Sequence, residues 1–174
     1  IGKQYPTLGE DNLGQVYPLR YEARDGLAIP AYVTLPHGLT IGLARNLPFV
    51  VMPHGGPHAR DFRRFDWLAQ MLANAGYGVL QMNFRGSTGQ GTVFEKAGHG
   101  EWGGAMVNDV TDGSRWLVSQ GLADPERICI VGASFGGYVT LMSAVREPNQ
   151  YQCGTALNGM SDLPALLVRA ERYI

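Results

Sequence analysis

Ile128-Cys-Ile-Val-Gly-Ala-Ser-Phe-Gly-Gly-Tyr138 is an apolar run that breaks at a glycine-flanked serine and then resumes with a helical pattern. Gly132, Ser134 and Gly136 have the spacing G-x-S-x-G, in which a strand turns sharply into a helix and leaves the serine hydroxyl exposed at the top of a sheet. The spacing has a steric reason. The serine is expected at positive φ, a strained conformation, and a side chain two residues before or after it would collide where strand and helix approach. Gly137 allows still closer approach. The helix begins at the serine, so its free N-terminal amides and positive dipole end face the point where an oxyanion forms in acyl transfer. The same five residues also fit a strand, a glycine loop and a helix without chemistry, so the surrounding chain decides between the two.

Just upstream, Met106, Val110 and Leu117 recur at helical spacing up to a stop near Gly121, and Arg127 to Val131 is the strand that feeds the turn. Downstream, Phe135 to Arg146 reads as a helix buried through Val139, Met142 and Val145. Gln152 to Leu157 reads as a strand and Ser161 to Ile174 as a helical segment. Toward the N-terminus, Tyr77 to Met82 is a strand preceded by a helix on Phe65, Leu68 and Leu72, with Gly76 as its cap. Leu47 to Met52 is an apolar strand stopped by Pro53-His-Gly-Gly-Pro57, and Gln15–Ala23 and Leu27–Leu35 make a hairpin about Asp25-Gly26. Residues 1–14 carry Pro6, Gly9 and Gly14 among polar residues and read as a linker from a preceding domain, which leaves 15–174 as the domain itself. After the hairpin, strands and helices alternate. That predicts an α/β fold, a mostly parallel sheet with helices on both faces and its chemistry at the C-terminal strand ends. Three loops of unusual composition leave such ends: Pro53–Pro57, Asn83–Gly91 and Gly132–Gly137.

The bulk composition narrows the function. The chain has 174 residues, 45% of them hydrophobic, enough for one ordinary core. Fourteen basic and fifteen acidic residues give a formal charge of -1 with no basic block, which argues against nucleic acid and an anionic membrane as partners. No apolar run approaches the length of a spanning helix, and Ile1-Gly-Lys-Gln does not start a signal peptide. A first residue other than Met suggests a segment of a longer chain. Cys129 and Cys153 lie in apolar, strand-like runs and read as free thiols, small buried hydrophobes that lean toward a cytoplasmic location.

Of the remaining motifs, His54-Gly-Gly-Pro57 leaves a strand where a glycine-rich turn brings a backbone N–H close to a substrate oxygen. His54 and His58 have the spacing of a helical zinc pair, but two glycines and a proline between them exclude the helix, and no metal or cofactor site is read anywhere. Arg85-Gly-Ser-Thr-Gly-Gln-Gly91 lacks the Gly-Lys-Ser or Gly-Lys-Thr of a phosphate loop, and Tyr138 stands where a dinucleotide turn needs a small residue. Arg85 reads as a structural charge holding these loops. Glu101-Trp102-Gly-Gly104 and Asp109 read as packing and capping features.

With these residues in hand, the chain resembles the catalytic α/β-hydrolase domain of the prolyl oligopeptidase family of serine peptidases, nearest its acylaminoacyl and dipeptidyl peptidase branches. The resemblance is carried by Ala23–Ile29 with Tyr32–Pro36, His54–Pro57, Asn83–Gly89, Trp102–Gly104 and Gly132–Tyr138, in that order and spacing. It implies Ser134 as nucleophile, the backbone amides of Gly56 and Phe135 as oxyanion hole, and short peptides as substrates. It also implies that Phe135, Met160 and Leu163 line the substrate side-chain pocket, although relatives often carry aromatics where Leu163 and Leu166 stand. A further implication is an N-terminal β-propeller in the parent. The oligomeric state is left open.

One departure matters. In α/β-hydrolases the triad runs Ser, acid, His along the chain, whereas His37, His54, His58 and His99 all precede Ser134. Asp162 follows too soon to be the acid. The expectation is therefore a serine hydrolase whose acid and base come from sequence beyond Ile174, the fold being incomplete at its C-terminus. On that expectation this chain alone is inactive, and the strand Gln152–Leu157 is an apolar edge awaiting a neighbour. The alternatives are a carboxylesterase or lipase, against which Pro57 interrupts the HGGG-type motif, and a catalytically silent binding module.

Overall fold

A computed structural model describes residue 9 and residues 13–170. The expected linker, 1–14, lies almost wholly outside them. β1 (Val16–Glu22) and β2 (Ala28–Thr34) form the hairpin, with Gly26 at φ +83° in its turn. β3 (Leu47–Val51), β4 (Gly78–Met82), β5 (Ala123–Ala133) and β6 (Cys153–Leu157) complete a six-stranded sheet of order β1-β2-β4-β3-β5-β6. β4 runs antiparallel to β2 and parallel to β3, and β3–β5 and β5–β6 are parallel. The mostly parallel sheet of an α/β-hydrolase fold is therefore present.

The helices are α1 (Trp67–Asn74), α2 (Thr92–Lys96), α3 (Ala105–Ser119), α4 (Phe135–Arg146) and α5 (Leu163–Ala170). Asp66 caps α1 by accepting from the Ala69 amide, and Gly76 follows it at φ +92°. The single turn α2 has no counterpart in the sequence reading, because five residues carry too little period to see. Burial of its Phe94 is what holds it on the core. In α4 the sheet-facing stripe runs through Gly136, Val139, Thr140 and Ser143, and Val145 is 75% exposed rather than buried. Two residues past Ser143 is about 200° further around a helix, which turns Val145 to solvent.

Two layers cover the sheet. Ile29, Val33, Phe49, Leu80, Ile128 and Ile130 form the main core with Met106, Val110 and Leu117 of α3 and Val139 of α4. Val50, Val79, Ala69 and Ala73 are buried outside that cluster, on the opposite face under α1. Val50 pairs with both Val79 and Cys129, so Cys129, and its β6 partner Cys153, share the α1 face. Beyond the reach of α1 that face is open, with Ala133, Thr155 and Leu157 exposed. β6 is the sheet edge among the described residues.

The cysteines are not free. Cys129 and Cys153 stand directly opposite each other on β5 and β6 with Cα atoms 4.7 Å apart, and they form a disulfide. Adjacent paired positions on one face bring the two Cβ atoms within bridging range. Since disulfides persist mainly in oxidising compartments, the lean toward a cytoplasmic location loses its basis.

Arg85 does hold the loops. Its guanidinium reaches Asp109 on α3 (Nη2 to Oδ1, 2.7 Å) and Asp25 in the hairpin turn (Nη1 to Oδ2, 2.7 Å), joining three distant segments. Asp109 is thus more than a packing feature, being the fully buried partner of that cation. Glu101 caps α3 by accepting from the Ala105 amide at 2.9 Å.

Candidate active site

At the junction of β5 and α4, Ser134 has φ +55° and ψ −118°, as the glycine spacing predicts, and it is exposed. Its amide donates to Leu157 O at the end of β6 (2.9 Å), so the edge strand braces the turn. The flanking glycines are sterically required. A Cβ on Gly132 would strike the Gly136 backbone, and one on Gly136 would strike Pro53 O. That second contact shows the loop after β3 lying against the first turn of α4. Gly55 lies against the serine itself, since a Cβ there would sit 3.2 Å from Ala133 O and 3.5 Å from Ser134 Cβ.

The structure therefore brings Ser134, Gly56 and Phe135 to one place. Among the described residues neither the Gly56 nor the Phe135 amide has an acceptor, and Ser134 Oγ makes no hydrogen bond. Gly56 has φ +124°, a conformation that favours glycine. The Phe135 side chain goes elsewhere. Its ring is fully buried against Trp102 (5.0 Å between centroids), Phe84 (5.6 Å) and Tyr138 (5.7 Å). Met160 and Leu163 are half-buried against this core, and Met160 borders an open depression with Ser161, Asp162, Ala165 and Leu166.

The loop after β4 supports the loop after β3. His54 Nδ1 lies 2.7 Å from Gly55 O and Nε2 lies 2.9 Å from Ser87 Oγ, while the ring stacks on Phe84 at 4.3 Å and 18°. Burial pushes the His54 imidazole below its usual pKa, opposed by its bond to Gly55 O. Asn83 Oδ1 accepts from the Asp61 amide at 2.7 Å, and the Thr88 amide donates to Ala59 O at 3.0 Å. Among the described residues no group of three His, Cys, Asp or Glu could hold a metal ion.

Asp61 escaped the sequence reading, because an Asp among Arg60, Arg63 and Arg64 looks like a solvated charge. In the fold its Oδ2 is buried without a partner among the described residues. The carboxyl borders a cavity of about 180 Å³ together with Asp66, Gln81, His54, Gly55 and Leu157. Burial, then the charge of Asp66, pushes it up to about 7, with Arg64 opposing. Its ordinary range is near 4, so between pH 4 and 7 the unfolded chain ionises this group while the folded chain keeps it protonated. Stability then falls by up to about 1.4 kcal/mol per pH unit. Asp61→Asn is expected to melt close to the parent at pH 4.5 and clearly above it at pH 8. A difference in Tm that does not change with pH would remove this account of Asp61.

The prolyl oligopeptidase family profile matches residues 63–173. Dipeptidyl aminopeptidase BIII of Pseudoxanthomonas mexicana is 39% identical over 175 residues, and dipeptidyl peptidase family member 6 of Caenorhabditis elegans is 35% identical over 186. Each alignment takes in 97% of this chain and 25% of the relative. Among solved structures, a puromycin hydrolase superposes with a TM-score of 0.85 at 31% identity, over 91% of this chain and 24% of its own. An acylaminoacyl peptidase of Pyrococcus horikoshii superposes with a TM-score of 0.76 at 27% identity, over 87% and 24%. The chain spans about a quarter of the length of these relatives.

Proposed function

The chain belongs to the prolyl oligopeptidase family, and on that premise we propose that it supplies the nucleophile and oxyanion hole of a serine peptidase acting on short peptides, with Ser134 as nucleophile. The observation that carries this reading is the exposed hydroxyl of Ser134 at a positive-φ turn, unpaired among the described residues, beside the Gly56 and Phe135 amides, which have no acceptor among them. Ser134 Oγ attacks the scissile carbonyl carbon, and the carbonyl oxygen becomes an oxyanion received by the two amides. The amine leaves with a proton, giving an acyl-enzyme on Ser134 that water then hydrolyses.

The proton taken from Ser134 needs a base. Both ring nitrogens of His54 are engaged by Gly55 and Ser87, and the other histidines also precede the serine. The reading therefore assigns acid and base to sequence after residue 174, and makes this stretch alone inactive. It also makes the open α1 face and the β6 edge the surfaces on which that sequence packs. The side-chain pocket around Met160 and Leu163, and a preceding propeller that limits access to short peptides, belong to the same proposal.

The test is covalent labelling. A fluorophosphonate is expected to modify Ser134 rapidly in the full-length protein and only sluggishly in the 174-residue chain, with the adduct mapped by peptide mass spectrometry. Labelling elsewhere, or equal rates in both, would defeat the assignment. Turnover of short-chain esters with no cleavage of any dipeptidyl or acyl-aminoacyl amide would favour an esterase.

A further inference from the structure

The run Arg60-Asp-Phe-Arg-Arg64 lies between the Gly56 turn and α1, and its three arginines are exposed. The Arg60 guanidinium lies over the Phe62 ring, 4.3 Å from its centroid, and that of Arg64 lies over the same ring at 5.0 Å. Two cations on one ring are within about 10 Å of each other, no more than a Debye length, so they repel with little screening. The ring attracts each of them but takes up little of its fork of N–H donors. Among the described residues no carboxylate forms an ion pair with Arg60, Arg63 or Arg64. Asp61, the acid inside the run, borders the cavity with Gln81 and Gly55, its Oδ2 buried. Asp66 is engaged as the cap of α1, and Glu95 accepts from the Gly89 amide. The arrangement is a fixed positive patch whose donors are uncommitted.

The loops place this patch beside the nucleophile. The Arg60 side chain crosses to the loop after β4, since a Cβ on Gly89 would strike its Nη1, and Ala59 O accepts from the Thr88 amide at 3.0 Å. The arginines therefore stand on the rim of the sheet end at which Ser134 is exposed. On the other side Ala59 folds back on Gly56, where a Cβ would lie 3.1 Å from Ala59 Cβ. Four positions separate Gly56 from Arg60, no more than about 14 Å even in an extended chain. That is the span of about four peptide residues beyond a carbonyl held at the Gly56 amide.

A short peptide carries opposite charges at its two ends. Its amino end is a cation that the arginines repel, and its carboxyl end, on the leaving side of the scissile bond, is an anion that they attract. We propose that Arg60 and Arg64, aligned by Phe62, form a carboxylate subsite for the leaving side of the peptide. The proposal rests on the reading of Ser134 and Gly56 given above and deepens it. It gives the bound peptide a direction and selects peptides with a carboxylate within about four residues after the scissile bond. A free C-terminus and an Asp or Glu side chain both supply that chemistry.

The full-length protein is assayed on matched peptides with two to four residues beyond the scissile bond, differing only in a C-terminal acid or amide. Acids are expected to be cleaved about tenfold faster in kcat/KM at low ionic strength, with the gain in KM, and the ratio should shrink toward one in about 0.5 M salt. Arg60→Gln and Arg64→Gln should each bring the acid-to-amide ratio to about three or less, and Arg64→Glu should reverse it. Phe62→Leu keeps both charges, releases their placement and should give an intermediate ratio. Each ratio comes from one preparation, so it does not depend on how much of a variant is folded. Amides that end in Asp or Glu, compared with Asn or Gln, separate the two sources. A preference restored by the side chain admits any nearby carboxylate, and one not restored confines the subsite to the terminus; either result supports the subsite.

Arginines that only pack on Phe62 predict otherwise. Losses would then follow Tm and fall equally on acids and amides. That outcome, or a parent ratio near one, overturns the inference while Ser134-dependent turnover still supports the nucleophile. A parent protein with no Ser134-dependent turnover overturns both.

Discussion

Ser134→Ala in the full-length protein is expected to lower kcat/KM by about a millionfold, the scale on which removing a triad nucleophile acts. The residual rate would come from substrate binding and the two amides, which survive the substitution. Folding should be nearly untouched. The hydroxyl has no hydrogen bond among the described residues and faces solvent, so its loss removes no packing. Ser134→Gly separates strain from chemistry. At φ +55° a residue with a Cβ pays a conformational cost that glycine does not, so the Gly variant should be equally inactive and more stable by about 1 kcal/mol. Turnover of the Ala variant within a hundredfold of the parent would show that the nucleophile lies elsewhere, and a Gly variant less stable than the Ala variant would show that the turn is not strained.

Arg85→Met is expected to cost about 3–5 kcal/mol, near 10 °C in Tm for a domain of this size. The reason is Asp109, whose carboxylate is fully buried and receives the Arg85 amide (2.9 Å), Nε (2.8 Å) and Nη2 (2.7 Å). Burial already raises the Asp109 carboxyl, against the opposing hydrogen bonds and charge of Arg85. In the Met variant the residue-85 amide still donates, but the guanidinium that opposed the rise most is gone, so the carboxyl is pushed further up. The folded pKa then lies well above the unfolded one, and stability is lost as pH rises from the ordinary carboxylate range toward neutrality. Asp25 loses its partner as well, but it is half exposed and water replaces the guanidinium. Arg85→Met with Asp109→Leu removes the stranded charge and should recover most of the loss. Chemical denaturation of the four species at pH 7.5 gives the coupling directly. Additive losses, or a single-variant cost below about 1 kcal/mol, would mean that the pair does not support the fold as its geometry indicates.

What was legible in the sequence was short-range. Gly132, Gly136 and the serine between them announce a strand-to-helix turn because the clash each glycine avoids lies within a few residues or against the adjacent strand end. The hairpin, the strands feeding the three loops and the cap at Gly76 were readable for the same reason, since period and turn chemistry are local. The assignment of Arg85 to structure rather than catalysis also needed no coordinates. Pairings across the sequence did need them. Cys129 and Cys153 are 24 residues apart, and they form a bond only because the β5–β6 register sets them opposite each other on one face. A slip of one residue would have turned one of them to the other side. The helical face of α4 was misjudged at Val145 because the orientation of a helix is set by the sheet it lies on. Asp61 looked solvated among arginines until the fold of two loops closed over its Oδ2. His54 revealed its partners only when the loops after β3 and β4 came together at the sheet end, 33 residues separating it from Ser87. Local sterics are written into neighbouring residues, but the register of strands and the packing of loops depend on the whole sheet, and it was those that decided how Ser134 is supported.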